Sequence, residues 1–460
     1  MRCILKEGSL NREILRLSLP SILANITVPV VGMVDTSLAG HLSSPGGGSA
    51  VFISGISVGA MLLNLLYWNF FFLRTGTGGL TAQAYGRRDM RGAAAIFVRG
   101  TGLALVFSLF IWLLRKPLSS MGMLLVSAGP EVCDLALRYF GLRIWAVPAT
   151  VCLMVFRGWF VGMQDSVSSM WTDLIINVVN VASSVLLTFG LAGWEGIGFD
   201  GIAAGTLVAQ YSGLLYAVLV CRIKYRDVFG SLRAEDVRSL LRGEGLRPFL
   251  RMNGNLMGRS LCFTAIYMGY TIIASAFGDV LLACSSIMMQ LLMVFSYFTD
   301  GFAYAGEAMS GRFIGAGDET MLRRTVRLVF CWSMSIAVLF VGVYAAAGMP
   351  LVRILTSDPD VVDTCRRFLP WLLVMPPIGC AAFTWDGIYL GATASRSLFQ
   401  SMALALTGFF AFWFGFKCLA GAPAAGDVLL HMLLAAYFVH LAARTVWLTL
   451  RYRKEVLVRK

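Results

Sequence analysis

Several carboxylates fall inside stretches of otherwise apolar sequence: Asp35, Asp173, Asp300, Glu307 and Asp386. Placing a charge at the centre of a membrane helix costs at least about 2.5–3.5 kcal/mol on insertion scales, so such a residue needs a partner or a task. The task open to a lone acid is to carry a proton or a cation. Asp35 is followed by only two residues before Leu38-Ala39-Gly40, which leaves two readings: an interfacial aspartate in contact with water, or an ion carrier. Asp173, Asn177, Asn180 and Ser184 recur at spacings of four, three and four, which puts them on one helical face. Hydrocarbon cannot satisfy such a stripe, so it must face protein or water. Inter-helix hydrogen bonding is its structural reading. Thr206 and Gln210, facing the same way, would extend a polar region around Asp35. Asp300, Tyr304 and Glu307 also share a face, with Arg259 as the expected buried counter-charge. An acid paired with arginine stays ionised and is mainly structural, whereas an unpaired one can take up a proton.

Other chemistries find little support. The ten cysteines form no CxxC and no close grouping with histidine, and the only imidazoles are His41, His431 and His440. Buried packing is the reading for the cysteines, and no metal site or cofactor is expected. The Met, Phe and Trp residues suit a cavity binding flat apolar cations, but they suit ordinary membrane packing equally well.

The elements that position these residues are membrane helices. The chain has 460 residues, of which 58% are hydrophobic and 14% charged, against about 25% charged in a soluble domain. Its mean hydropathy is +0.74. The apolar runs are about 20 residues long, enough to cross a hydrocarbon core and unlike the alternating segments of an outer-membrane barrel. They predict twelve helices, near 15–39, 51–73, 94–114, 133–162, 169–191, 198–221, 252–276, 281–308, 327–348, 363–391, 397–418 and 428–450. Ser37-Leu38-Ala39-Gly40 mimics a signal-peptide cleavage site, but the preceding run is too long for an h-region and is interrupted by Pro20 and Asn25.

The formal charge of +13 lies in short clusters between apolar runs, which is a topology signal rather than a nucleic-acid face. One set of loops holds Arg2, Lys6, Arg12 and Arg16; Arg87, Arg88 and Arg91; and the run Arg222, Lys224, Arg226, Arg233, Arg238, Arg242, Arg247 and Arg251. Arg323, Arg324, Arg396, Arg451, Arg453, Lys454, Arg459 and Lys460 fall on the same side. The other side has little beyond Arg115, Lys116, Arg353 and Lys417. The positive-inside rule then puts both termini in the cytoplasm of an inner-membrane protein.

The chain is also doubled. At an offset of 229 residues, Phe156-Arg157-Gly158-Trp159-Phe160-Val161-Gly162 matches Trp385-Asp386-Gly387-Ile388-Tyr389-Leu390-Gly391. Ser166 falls on Ser395, Pro148 on Pro377, Arg138 on Arg367, Gly86 on Gly315 and Asp89 on Asp318. The expected organisation is therefore an N-lobe over 1–221, a basic linker over 222–250 and a C-lobe over 251–460. The halves are parallel six-helix repeats around a central cavity, a recurring transporter plan. Arg157 and Asp386 are repeat mates of opposite sign, so each either stabilises its own lobe or does different electrostatic work.

With these residues in view, the sequence resembles the multidrug and toxic compound extrusion (MATE) family, in its DinF-like bacterial branch. The resemblance runs through Leu19-Pro20, Val34-Asp35-Thr36-Ser37-Leu38-Ala39-Gly40-His41-Leu42, Gly162-Met163-Gln164-Asp165 and Asn177-Val178-Val179-Asn180. It continues in Asp300-Gly301-Phe302-Ala303-Tyr304-Ala305-Gly306-Glu307 and Trp385-Asp386-Gly387-Ile388-Tyr389-Leu390-Gly391-Ala392-Thr393. It implies an antiporter, not an enzyme, that exports organic cations or amphipathic compounds while protons or sodium ions enter. It assigns ion coupling to Asp35 with Asn180 and Thr206, and it implies a monomer in a lipid bilayer. Many relatives carry an aspartate where this chain has Ser184. Losing a charged oxygen weakens a sodium site more than a proton site, so proton coupling is expected. A flippase for a lipid-linked precursor would share the twelve-helix plan. It calls for Arg and Lys in the cavity to hold a pyrophosphate, whereas the intramembrane charges read as mainly acidic, with Arg157 and Arg259 as exceptions. A membrane enzyme lacks its nucleophile–base or metal constellation, and a channel lacks a repeated filter loop.

Overall fold

The computed structural model describes residues 8–42, 49–123, 129–191, 193–230, 243, 245–420 and 426–457. Arg2, Lys6, Arg233, Arg238, Arg242, Arg459 and Lys460 lie outside them. Among the described residues, twelve helices are long and apolar enough to cross a bilayer: α1 (Gly8–Gly40), α2 (Ala50–Gly86), α3 (Met90–Leu113), α4 (Pro130–Gly162), α5 (Ser166–Phe189), α6 (Phe199–Lys224), α7 (Leu246–Ser275), α8 (Asp279–Ala316), α9 (Glu319–Leu355), α10 (Pro359–Gly391), α11 (Ser395–Ala420) and α12 (Gly426–Tyr452). No strand occurs among the described residues. The all-α polytopic membrane architecture expected from the apolar runs is present.

Several helices outlast their apolar cores. α1 begins at Gly8 rather than near 15, and α9 runs from Glu319 to Leu355 rather than over 327–348. Capping accounts for part of this. Asp318 accepts a hydrogen bond from the Met321 backbone N–H at 2.9 Å, so the helix starts where its orphan donors are satisfied and not where hydropathy rises. α2 is interrupted at Phe71, and α4 carries a tighter turn over Ile144–Ala146 just before Pro148. A short helix, Arg115–Met123, follows α3 and was not expected from the sequence.

The outer faces are apolar. On α3, Leu105, Val106, Leu109, Phe110 and Leu113 are all exposed. Their spacing makes one stripe along the helix, which a bilayer covers and water would not tolerate.

The chain divides into two compact units. One comprises Leu23–Ala84 and Asp89–Leu250; the other comprises Met1–Ile22, Tyr85–Arg88 and Arg251–Lys460. The first is filled by Tyr139, Phe140, Val151, Leu153, Val155, Trp159 and Phe160, the second by Met288, Phe295, Phe368, Met375, Phe409, Trp413 and Leu434. The opening turns of α1 pack within the second unit. Trp332 donates its indole N–H to Asn11 Oδ1 at 2.9 Å, Arg312 meets Glu13 at 3.1 Å, and Gly301 leaves room for Ile22.

Each unit repeats the same local geometry at the 229-residue offset. A Cβ added at Gly158 would lie 2.1 Å from the carbonyl oxygen of Arg74, and one at Gly387 would lie 2.1 Å from that of Ala303. The contact partners, 74 and 303, are themselves 229 apart, so α4 crosses α2 as α10 crosses α8. The turns agree as well: Arg88 and Gly317 take φ of 59° and 72°, Gln164 and Thr393 take 63° and 52°. A left-handed backbone at non-glycine residues is sterically costly, so its recurrence at matched positions marks a shared fold rather than chance.

Candidate functional site

Asp35 sits in the C-terminal half of α1 and is only 4% exposed. An aspartate bathed in interfacial water would not be so covered, and its neighbours are protein. Its Oδ2 accepts a hydrogen bond from the Tyr139 hydroxyl at 3.2 Å and lies 3.7 Å from Nη1 of Arg143. Arg143 in turn donates to the same tyrosine oxygen at 2.7 Å. Tyr139 and Arg143 are four apart on α4, so one helical face presents both to α1. The second carboxylate oxygen, Oδ1, is buried and accepts no hydrogen bond.

Asn180 and Thr206 come together as expected, but with each other. Asn180 Nδ2 donates to Thr206 Oγ1 at 2.9 Å, which donates onward to the Ile202 carbonyl at 3.2 Å. No hydrogen bond among the described residues joins either of them to Asp35. Ser184 reaches the Ile202 carbonyl at 3.4 Å, and Gln210 is half-buried on α6. The buried face of α5 is Thr172, Ile176, Asn180, Ser184 and Thr188. Asp173 and Asn177 stand at its edge, one position away at each turn. Asp173 pairs with Arg157 at 2.5 Å, and Asn177 reaches Thr27 of α1 at 2.5 Å. The α5 stripe is thus two rows, one for helix packing against α6 and one for polar contacts with α4 and α1.

In the second unit the guanidinium of Arg259 meets Oδ2 of Asp386 at 2.5 Å, and the same oxygen accepts from Arg444 of α12. Packing of α10 thus brings Asp386 to α7 and α12. Asp300 and Tyr304 are half-buried on α8, while Glu307 is fully buried where α10 crosses it. Arg157 and Asp386, the repeat mates of opposite sign, each find a counter-charge inside their own unit.

The reading of a mainly acidic interior is overturned. Arg74, Arg143 and Arg444 join Arg157 and Arg259 within the spans, so basic groups accompany the acids there. Arg143 and Arg444 lie within the apolar runs 133–162 and 428–450, so a charge in mid-run was the signal that could have found them. Tyr139 carried no such signal, because a tyrosine in a membrane helix reads as packing. His440, one turn before Arg444, is also fully buried, with Nδ1 2.5 Å from the Tyr437 carbonyl oxygen.

At the mouth of α5, Asp165 combines three duties. It caps the Ser168 N–H at 3.3 Å and accepts from Lys224 at 2.7 Å and from the Tyr225 hydroxyl at 2.8 Å. Burial alone would push its carboxyl up; the hydrogen bonds from Lys224, Ser168 and Tyr225 outweigh that and hold it below the ordinary aspartate value.

Twelve apolar helices carrying buried charged pairs, in two units that share one local geometry, fit the plan of a membrane transporter. Residues 20–186 and 256–416 each match the MatE family model. The DNA damage-inducible protein F of Escherichia coli is 33% identical over 409 residues, covering 88% of this chain and 86% of that one. The multidrug and toxin extrusion protein 1 of Xenopus tropicalis is 24% identical over 78% of this chain and 60% of its own length. A crystal structure of a MATE protein in the bent conformation superimposes with a TM-score of 0.79 at 16% identity, covering 96% and 95% of the two chains. A Vibrio cholerae MATE transporter gives 0.79 at 17% identity over 98% of each. The chain belongs to the MATE family of multidrug and toxin extrusion transporters, in the branch of the E. coli protein.

Proposed function

We propose that this transporter is a secondary antiporter that exports organic cations or amphipathic compounds in exchange for protons rather than sodium ions. The observation that carries the reading is Asp35: a buried carboxylate on α1 whose Oδ2 is held by Tyr139, with Arg143 standing off at 3.7 Å, beyond hydrogen-bond distance and unlike the 2.5 Å pairs of Asp173 and Asp386, so that Oδ1, without a partner among the described residues, is open to take a proton. Protonation removes the charge that helps hold a cationic cargo. It also alters the contact between α1 and α4, and α1 can bend where Pro20 interrupts its hydrogen bonding. By linkage, cargo binding must weaken proton binding by the same factor that protons weaken cargo binding. Rocking of the two six-helix repeats between inward-open and outward-open states delivers alternating access. Both termini are then cytoplasmic in the inner membrane, and the protein works as a monomer without a cofactor.

The names of the relatives, multidrug and toxin extrusion proteins among them, support the efflux reading. The flippase alternative requires cationic groups free to grip a pyrophosphate. Arg143, Arg157, Arg259 and Arg444 are instead each bound to an aspartate, which favours the cation-export reading. Ethidium transport in everted vesicles under separately imposed proton and sodium gradients tests it. The expected result is proton-driven uptake that disappears in Asp35→Asn. Full activity in that variant moves coupling to Asp300, Glu307 and Asp386, and wild type inert under both gradients removes the antiport reading.

A further inference from the structure

Asp35 is faced by Tyr139 and Arg143 of α4, and Tyr67 of α2 lies within electrostatic reach of Arg143. Arg143 is largely buried, its side chain 14% exposed against 6% for Asp35. Its guanidinium meets the Asp35 carboxylate, the Tyr139 hydroxyl and the Tyr139 ring. We propose that Arg143 is the ion-selectivity residue of this site, a tethered cation that admits a proton to Asp35 and excludes sodium.

Without the arginine, the site would alternate between −1 and neutral as Asp35 gained a proton. With it, the site alternates between neutral and +1. A sodium ion needs several oxygen ligands at once, as hard cations do. Here the Asp35 carboxylate offers it only Oδ1 without a partner among the described residues, beside a guanidinium 3.7 Å from Oδ2, where like charges repel strongly in a poorly polarisable interior. A proton needs only Oδ1. Once it arrives, Arg143 loses its counter-charge and the site becomes net positive, which expels an organic cation. The arginine thereby sharpens the mutual exclusion between proton and cargo that antiport requires. Tyr139 fixes the geometry, since its single hydroxyl oxygen bridges the acid and the base.

The inference rests on the coupling role proposed for Asp35. The test uses the full chain in proteoliposomes, with ethidium transport driven separately by proton and sodium gradients in wild type, Asp35→Asn, Arg143→Gln, Arg143→Lys and the double variant. Arg143→Gln should gain a sodium-driven component that wild type lacks and that the added Asp35→Asn substitution abolishes; Arg143→Lys should keep the wild-type ion choice. Sodium-blind, proton-driven transport in Arg143→Gln overturns the proposal while leaving antiport at Asp35 standing. Full transport in Asp35→Asn overturns both. Should Arg143→Gln not fold, wild type alone decides. Replacing choline chloride by sodium chloride at fixed pH should leave its ethidium affinity unchanged, and a sodium-dependent shift refutes the assignment.

Discussion

Substituting alanine at Gly387 should loosen the second unit and disturb Asp386 with it. The added Cβ would lie 2.1 Å from the Ala303 carbonyl oxygen and 2.6 Å from its carbon, with ordinary contact beginning at 3.4 Å. The α8–α10 crossing must therefore open by about 1.3 Å, the difference between 3.4 and 2.1. Both neighbours are backbone atoms of well-packed helices, so no flexible side chain can absorb the shift. Overpacking of this kind costs about 1–3 kcal/mol. At about 2–4 °C per kcal/mol for bodies of 150–250 residues, melting should fall by roughly 2–12 °C. Asp386 immediately precedes the glycine, so moving α10 also draws it from Arg259, now 2.5 Å away. Thermal unfolding in detergent, followed by tryptophan fluorescence beside ethidium transport, reads both effects. Gly158→Ala, with the matching 2.1 Å approach to Arg74, should behave alike. Gly342→Ala, with nothing within 4 Å, should stay within about 0.5 kcal/mol of wild type. Wild-type melting in both Gly387→Ala and Gly158→Ala would refute the close-crossing account.

Two further outcomes follow from the ion pairs. Arg444→Met leaves Asp386 with Arg259 alone in a buried setting; it should destabilise by about 3 kcal/mol, the lower end of the cost of breaking a buried pair. Combining it with Asp386→Asn should cost less than the sum of the two single changes, and strict additivity in unfolding measurements would show that the groups are not coupled. Asp165 supplies a pH dependence. Its folded carboxyl sits below the ordinary value, so its contribution is fully present above the unfolded value of about 4 and is lost as pH falls through the folded one. The melting gap between wild type and Asp165→Asn should hold steady at neutral pH and close in acid; a gap that persists or widens there rules out the Lys224–Tyr225 clamp as its source.

Much of this protein was written in its composition and period. Twenty-residue apolar runs can only be satisfied as helices in a bilayer, so the twelve spans were legible, and the 229-residue offset already aligned Gly158 with Gly387. The pairing of Asn180 with Thr206 was likewise within reach of spacing and resemblance. Partner choice was not. Asp35 is held by Tyr139 and Arg143, more than a hundred residues away, and Asp386 by arginines of α7 and α12. Periodicity specifies which face of a helix is polar, but not which other face meets it. That is set by how side-chain ridges and glycine clefts let helices approach. The sequence by itself determined the membrane, the spans and the repeat, because each follows from local chemistry repeated along the chain. Only the tertiary structure decided that Asp35, Asp173 and Asp386 each have an arginine at their side, because buried charge is settled by three-dimensional neighbours.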